Sequence, residues 1–352
     1  MISEVDFGRT KEGKIAKKYL MENSKGMQVE VSNFGALVLS IKVYDKNKVK
    51  RDVVLGFPFL KDYYNTATGF GAYVGRNANR ISGASVTIEG VQYLLDTNDG
   101  ENNLHSGYNR SHCKLYSAKC GENEKRSFVE FFRISPHMEQ GFPGNLRQSI
   151  RYILTEENEF QIEYDMIADQ TTVVNPTNHS YFNLNGHDSG SILGHEMEIW
   201  SDTFLETDKK LIPTGKFINV KGTPMDFQKR KSIGADILAD YKPLVIANGY
   251  DHNYVFPNDG EMKKMAALYG EESGICMTVF SNLCGMQIYT GNFLNREKGK
   301  DGVLYKKRSG ICFETQFYPN ACNEPKFPSS ILESGTRYQS KTIYRFELEK
   351  NE

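Results

Sequence analysis

Apolar and polar positions alternate with a period of two through most of this chain, and the alternation predicts strand after strand from residue 28 onward. QVEVSNFGALVLSIKVY (28–44) gives two runs broken at Asn33 and Gly35, SVTIEGVQYLL (85–95) folds over Glu89-Gly90 as a hairpin, and SFVEFFRIS (127–135) is a further extended run. In LRQSIRYILT (146–155) and FQIEYDMIA (160–168), Ile150, Tyr152 and Leu154 face one way. Phe160, Ile162, Tyr164 and Met166 answer them after a short polar turn. Later runs are HEMEIW, CMTVFSN, MQIYTGNF, CFETQFY and TIYRFEL. Only SIGADILADY (232–241) reads as a short helix, with Ser232 available as its cap. Many short strands with glycine-rich turns predict an all-β, antiparallel β-sandwich. No linker or internal repeat divides the chain, so residues 1–352 are expected to form one domain.

Charge narrows the function. The 43 Lys+Arg against 44 Asp+Glu leave a net charge of -1 with no long run of either sign, which speaks against a nucleic-acid binder or a polybasic membrane anchor. No apolar stretch is long enough for a spanning helix, and MISEVDFGRTKEGK lacks the apolar core of a secretory signal, so a cytoplasmic protein is expected. Cys113, Cys120, Cys276, Cys284, Cys312 and Cys322 form no C-x-x-C pair and are expected to be free thiols without a zinc site. The sequons at Asn109 and Asn178 read as chance matches.

The chemistry concentrates in a few segments. ICFETQFYPNACNEPKFP (311–328) sets a carboxylate, Glu314, inside an apolar strand that proline then stops. It is either an edge-strand glutamate reaching water or a general base whose proton affinity is raised by its surroundings. GFGAYVGRNANRISG (69–83) misses the dinucleotide fingerprint, because its third glycine is one position late and no βαβ unit surrounds it. Its Arg76, Asn77, Asn79 and Arg80 offer either donors for a hydroxylated ligand or turn caps. NNLHSG and NPTNHSYFNL set His105 and His179 beside Asn and Ser, without the third close partner that a metal site needs. GYDHNYVF offers Asp251 as an acceptor for sugar hydroxyls or as a turn residue, and GMQIYTGNFL adds Gln287 on a strand and an exposed Phe293.

In their order along the chain, GRNANRI, N-x-LH, NHSYFNL with GHDSGSILGHEM, GTPMDF, GYDHNYV, MQIYTGNF and ETQFYPNACNEPKFPSSIL resemble the aldose 1-epimerases, the galactose mutarotase family, from about residue 30 onward. The resemblance implies a large β-sandwich with a sugar cleft on one sheet face, no cofactor, and interconversion of the α and β anomers of a free hexose such as glucose or galactose. It implies His179 as general acid and Glu314 as general base, with Asn79, Arg80, His105, Tyr181, Asp251 and Gln287 as sugar contacts. Two departures stand out: Ser106 replaces a second glycine after the histidine, and Leu332-Glu333-Ser334-Gly335-Thr336 replaces the usual L-x-P-G-E. Both are expected to act on sugar preference through loops near the site. The competing readings are a non-catalytic carbohydrate-binding module, which needs no acid and base, and an enzyme for hexose 6-phosphates, which would use cations such as Arg76 and Arg80. The partner expected is a small-molecule sugar, and the oligomeric state is open.

Overall fold

The computed structural model describes residues 1–64, 66 and 68–349. Three sheets carry the fold, all with antiparallel pairing. The largest has nine strands in the spatial order Ser117–Asn123, Arg126–Ser135, Leu146–Thr155, Glu159–Ala168, Arg337–Leu348, Ile275–Ser281, Lys263–Tyr269, Glu196–Ile199 and Lys231–Ser232. A five-stranded sheet is built from the first 52 residues. A second five-stranded sheet runs Pro213–Asn219, Thr203–Thr207, Asp251–Val255, Gly285–Tyr289, Cys312–Gln316. The main core cluster draws on all three, from Tyr19 to Phe346.

The predicted hairpins form in the register that the alternation demands. Ile150 faces Tyr164, Tyr152 faces Ile162 and Leu154 faces Phe160, and the turn at Glu89-Gly90 has φ of 52° and 80°, the left-handed pair that suits the twist of a two-residue hairpin.

Two expectations are corrected. Residues 232–241 are not helical: Lys231–Ser232 pairs as a strand with Glu196 and Met197, and the Ile233 and Gly234 amides go on to donate to the His195 and Leu193 carbonyls, which holds the start of the segment extended along its neighbour. The helix lies just beyond, at Lys242–Ala247, with proline in its first turn, and its six residues are too few to show a 3.6 period. Strands also begin before residue 28, at Ile2–Arg9 and Ile15–Glu22. The first has four consecutive exposed residues, and the second buries Ala16, Tyr19 and Met21 out of phase, so neither shows a clean period of two.

The second five-stranded sheet positions the site, and its strands divide their side chains by parity. His252, Tyr254, Met286, Ile288 and Phe313 are buried, the last four in the main core cluster, and the Thr315 hydroxyl meets that of Thr342 on the nine-stranded sheet at 2.5 Å. The alternate positions, Asp251, Gln287, Cys312 and Glu314, are thereby turned to the opposite face. Gln287 pairs directly with Glu314 in the ladder, and Asp251 pairs with Tyr289.

Candidate active site

The cleft lies on that opposite face, a cavity of about 320 Å³. His179 reaches it from the short strand Thr177–His179, which pairs with Ala72–Val74. Arg80 and His105 come from a third ribbon, in which Arg80 pairs with Leu104. Of the predicted residues, Asn79, Arg80, His105, His179, Tyr181, Asp251 and Glu314 all line the cavity. Gln287 does not. It sits behind Asp251, its Nε2 donating to Asp251 Oδ1 at 2.6 Å.

At the centre, His179 Nε2 lies 3.6 Å from Glu314 Oε1, both residues being almost wholly buried. Burial pushes the Glu314 carboxyl well above its usual range, with the neighbouring Asp251 charge adding to the rise and Arg80 opposing it. Burial lowers His179 to about 4. Both directions disfavour charge and so favour the neutral couple, with the proton on the carboxyl side. Glu314 Oε2 and Gln287 Oε1 are buried without a hydrogen-bond partner among the described residues. Such groups cost free energy until a polar ligand meets them. The reading of Glu314 as a solvated edge-strand carboxylate does not hold: its relative exposure is 2%.

His105 is held in a left-handed conformation, φ 51°, by two bonds to the Asn79 backbone, one from its own amide and one to its ring. The Asn79 amide donates to His105 Nδ1 at 3.0 Å, which leaves the ring proton on Nε2. This decides what His105, His179 and Glu314 can do together, because their ligand atoms lie within 4.8 Å of one another, close enough for a cation. A metal would need the His105 Nε2 lone pair, and taking it would force a proton onto Nδ1 against the Asn79 amide. His105 is therefore set up as a hydrogen-bond donor toward the cleft.

The Gly-rich loop splits in two. Arg80 turns to the cleft with its Nε on Asp99 Oδ2 at 2.8 Å. Arg76 turns inward, fully buried, and donates to the carbonyls of Ser135, Pro136, Pro143 and Gly144 and to the hydroxyls of Ser135 and Thr172. It is a structural cation with no face toward a ligand. Ser106 explains how a non-glycine is accepted after His105: its φ is 65°, and its Oγ accepts from the Asn77 amide and donates to the Asn77 carbonyl. The Leu332–Thr336 turn stands apart from the cleft, with the Ser334 hydroxyl on the Asp169 carbonyl and the Gly335 amide on that of Ala168. The expectation that it shapes the site is thus withdrawn. Asn178, in the second sequon, is buried and holds the Gly71 carbonyl and Ser180.

Several cleft residues escaped the sequence reading. Tyr289 packs against both Tyr181 and His179, at centroid distances of 5.9 and 6.1 Å, and lies parallel to the exposed ring of Phe293. Its position two residues beyond Gln287 was the available signal. Arg110 also lines the cavity, and it makes no ion pair within 4.0 Å among the described residues. It lies in an irregular loop where no period could mark it. Cys312, two residues before Glu314 on the same strand face, is buried behind the cavity wall, its Sγ 3.5 Å from His179 Nδ1.

The comparisons with known proteins agree with this geometry. Residues 17–345 match the sequence profile of the family described as aldose 1-epimerase. The galactose mutarotase of Sus scrofa is 38% identical over 333 residues, 94% of each chain. That of Mus musculus is 38% identical over 348 residues, 99% of each chain. The crystal structure of the aldose epimerase homologue from C. elegans superposes with a TM-score of 0.85 at 26% identity, covering 94% of this chain and 98% of the other. Among the described residues no helix is long and apolar enough to cross a membrane. With a matching profile over most of its length, near full-length relatives and a shared sandwich, the chain belongs to the aldose 1-epimerase family of isomerases.

Proposed function

We propose that the chain, acting as one folded unit in the cytoplasm, interconverts the anomers of free aldohexoses such as glucose and galactose, with Glu314 as base and His179 as acid. The observation that carries this is the buried His179–Glu314 pair, with Nε2 and Oε1 3.6 Å apart. Glu314 takes the proton of the C1 hydroxyl while His179 Nε2 gives one to the ring oxygen, and the C1–O5 bond opens. The aldehyde turns about the C1–C2 bond. Reclosure returns the O5 proton to His179, and Glu314 protonates the new C1 oxygen. Sugar hydroxyls entering the cleft stabilise the charged form of the pair, which burial alone disfavours. Arg80, His105 and Asp251 hold the remote hydroxyls, so that only the anomeric centre moves. Asn79 and Tyr181 complete the wall, the Tyr181 ring 5.0 Å from that of His179.

A binding module has no use for an acid and a base tuned in opposite directions. A hexose 6-phosphate enzyme would need a free cation. Arg76 is buried and Arg80 is paired with Asp99, which leaves Arg110 for that duty.

Polarimetry on fresh α-glucose, α-galactose and α-glucose 6-phosphate tests the proposal, with and without a chelator. Rapid mutarotation of a free hexose, unchanged by the chelator, is expected. Turnover of the phosphate alone would move the assignment to phosphorylated sugars, and metal-restorable loss would overturn the metal-free mechanism. In the same assay Arg80→Ala raises KM by about tenfold or more and leaves kcat within a few-fold, because the lost contact is made equally in ground and transition states.

A further inference from the structure

Beside and behind Glu314, four neighbouring side chains of the same sheet bury polar atoms that no described residue meets: Asn253 Oδ1 and Nδ2, Gln287 Oε1, Glu314 Oε2, and Gln316 Oε1 and Nε2. The parity of the strands gathers them into one patch. Asn253 pairs with Gln287 and Gln287 with Glu314 in a row across three strands, and Gln316 stands two positions beyond Glu314 on the same face. Gly285, which pairs with Gln316, leaves the next row open. A Cβ at Gly285 would stand 2.9 Å from Asn253 Oδ1 and 2.9 Å from the Tyr318 ring, so the Asn253 amide leans across the glycine toward Gln316, beneath that ring. All four residues are at most 4% exposed, and neither Asn253 nor Gln316 lines the cleft. We propose that Asn253 and Gln316 are positioning residues for the base: their amides hold ordered water against Glu314 Oε2, which keeps Oε1 turned to the sugar and stabilises the carboxylate from the side that the sugar does not reach.

Buried amides without partners are costly, and a buried water, which makes about three hydrogen bonds, removes that cost where several such groups converge. Protein atoms alone do not resolve the patch. Gln287 Oε1 and an ionised Glu314 Oε2 both accept, so a donor has to stand between them. Water accepts from Asn253 Nδ2 or Gln316 Nε2 and donates to the carboxylate, and the amide polarises it into a better donor. The need is greatest during turnover, because Glu314 must be ionised to take the proton of the C1 hydroxyl. That hydroxyl serves Oε1, and the water serves Oε2. Burial and the Asp251 charge raise the proton affinity of the carboxyl. A hydrogen bond to the charged form opposes both and leaves the base within reach of neutral pH.

The inference rests on Glu314 being the base, and the experiment separates the two claims. Gln316→Met and Asn253→Leu, apolar side chains of similar size, and Glu314→Gln are compared with the parent by polarimetry across pH and by thermal melting, and the parent is crystallised at high resolution. Each apolar variant should lower kcat about tenfold with KM within about twofold, the scale of one lost hydrogen bond to a charged group. The alkaline limb of kcat/KM should rise by about one pH unit and the acid limb stay in place, because only the ionised carboxyl loses a partner. Melting temperatures should stay within a few degrees of the parent, since the polar atoms leave together with the water they held. The crystal should show water bridging Glu314 Oε2 to one of the two amides. Earlier melting with both limbs unmoved would make the amides merely structural and overturn the inference. Parental kcat and limbs in both variants, with Glu314→Gln inactive, would overturn it and leave the base in place. A Glu314→Gln protein with parental turnover would overturn the base itself. If both apolar variants melt too early to assay, the crystal decides: bridging water at Oε2 supports the proposal, and a patch without it overturns the proposal.

Discussion

Glu314→Gln lowers kcat by about two to four orders of magnitude and changes KM far less, because the amide keeps the hydrogen bonds of the site and loses only the capacity to take a proton. Gln287 and Asp251 still occupy their places, so the sugar still finds its cleft. The same substitution stabilises the protein, and the sign follows from the direction of the shift. Burial raises the Glu314 carboxyl above its unfolded value. The unfolded chain thus releases this proton near pH 4 while the folded chain retains it. The stability associated with the group is fully present below the unfolded value and declines as pH rises through the folded one. Glutamine has no proton to lose, so the variant should melt a few degrees above the parent at pH 8 and level with it at pH 4. Calorimetry at both pH values together with polarimetry checks the pair of claims. Near-parental mutarotation with loss of sugar binding would make Glu314 a ligand contact, and the binding-module reading would replace the catalytic one.

His179→Asn costs a similar factor in kcat, for the complementary reason that no other group within reach of Glu314 can deliver a proton to the ring oxygen. His105 is the nearest imidazole, at 5.4 Å between ring centroids, but its Nδ1 is committed to the Asn79 amide and burial holds its pKa well below the usual histidine value. The parental rate should follow a bell in pH. Its acid limb lies near pH 4, where His179 gains a proton while the carboxyl still holds its own. Its alkaline limb marks loss of the shared proton, above the ordinary carboxylate range. These limbs belong to the pair, since the neutral couple and the ion pair contain the same number of protons. Each single variant should keep only one limb. A full bell in His179→Asn would exclude the histidine from the proton transfers.

The sandwich was legible because its strands obey the period of two, as in 146–168, where Ile150, Tyr152 and Leu154 pair with Tyr164, Ile162 and Phe160. Local pattern failed where tertiary contacts took over the backbone. Ile233 and Gly234 spend their amides on residues 193–195, and the strand Ile2–Arg9 buries too little to show a period. Motifs marked seven residues that line the cleft, but no motif states which way a side chain turns. Arg76 and Arg80 stand four positions apart in one loop, and only the fold sends the first to buried backbone and hydroxyl acceptors and the second to the sugar side. Cys312 was visible in the sequence as a free thiol, and its 3.5 Å contact with His179 Nδ1 joins residues 133 positions apart, which no local pattern shows.

The parity of the strands Asp251–Val255, Gly285–Tyr289 and Cys312–Gln316 bears on how this protein can evolve. One insertion or deletion inside any of them would send core residues to the cleft and cleft residues to the core, so folding and catalysis would fail in a single step. New sugar preferences must then come from the loops around the cleft, where Arg110 and Phe293 stand outside the ladders. Change in those loops leaves the proton chemistry of the sheet untouched, and a family built this way can diversify its substrates while its reaction stays the same.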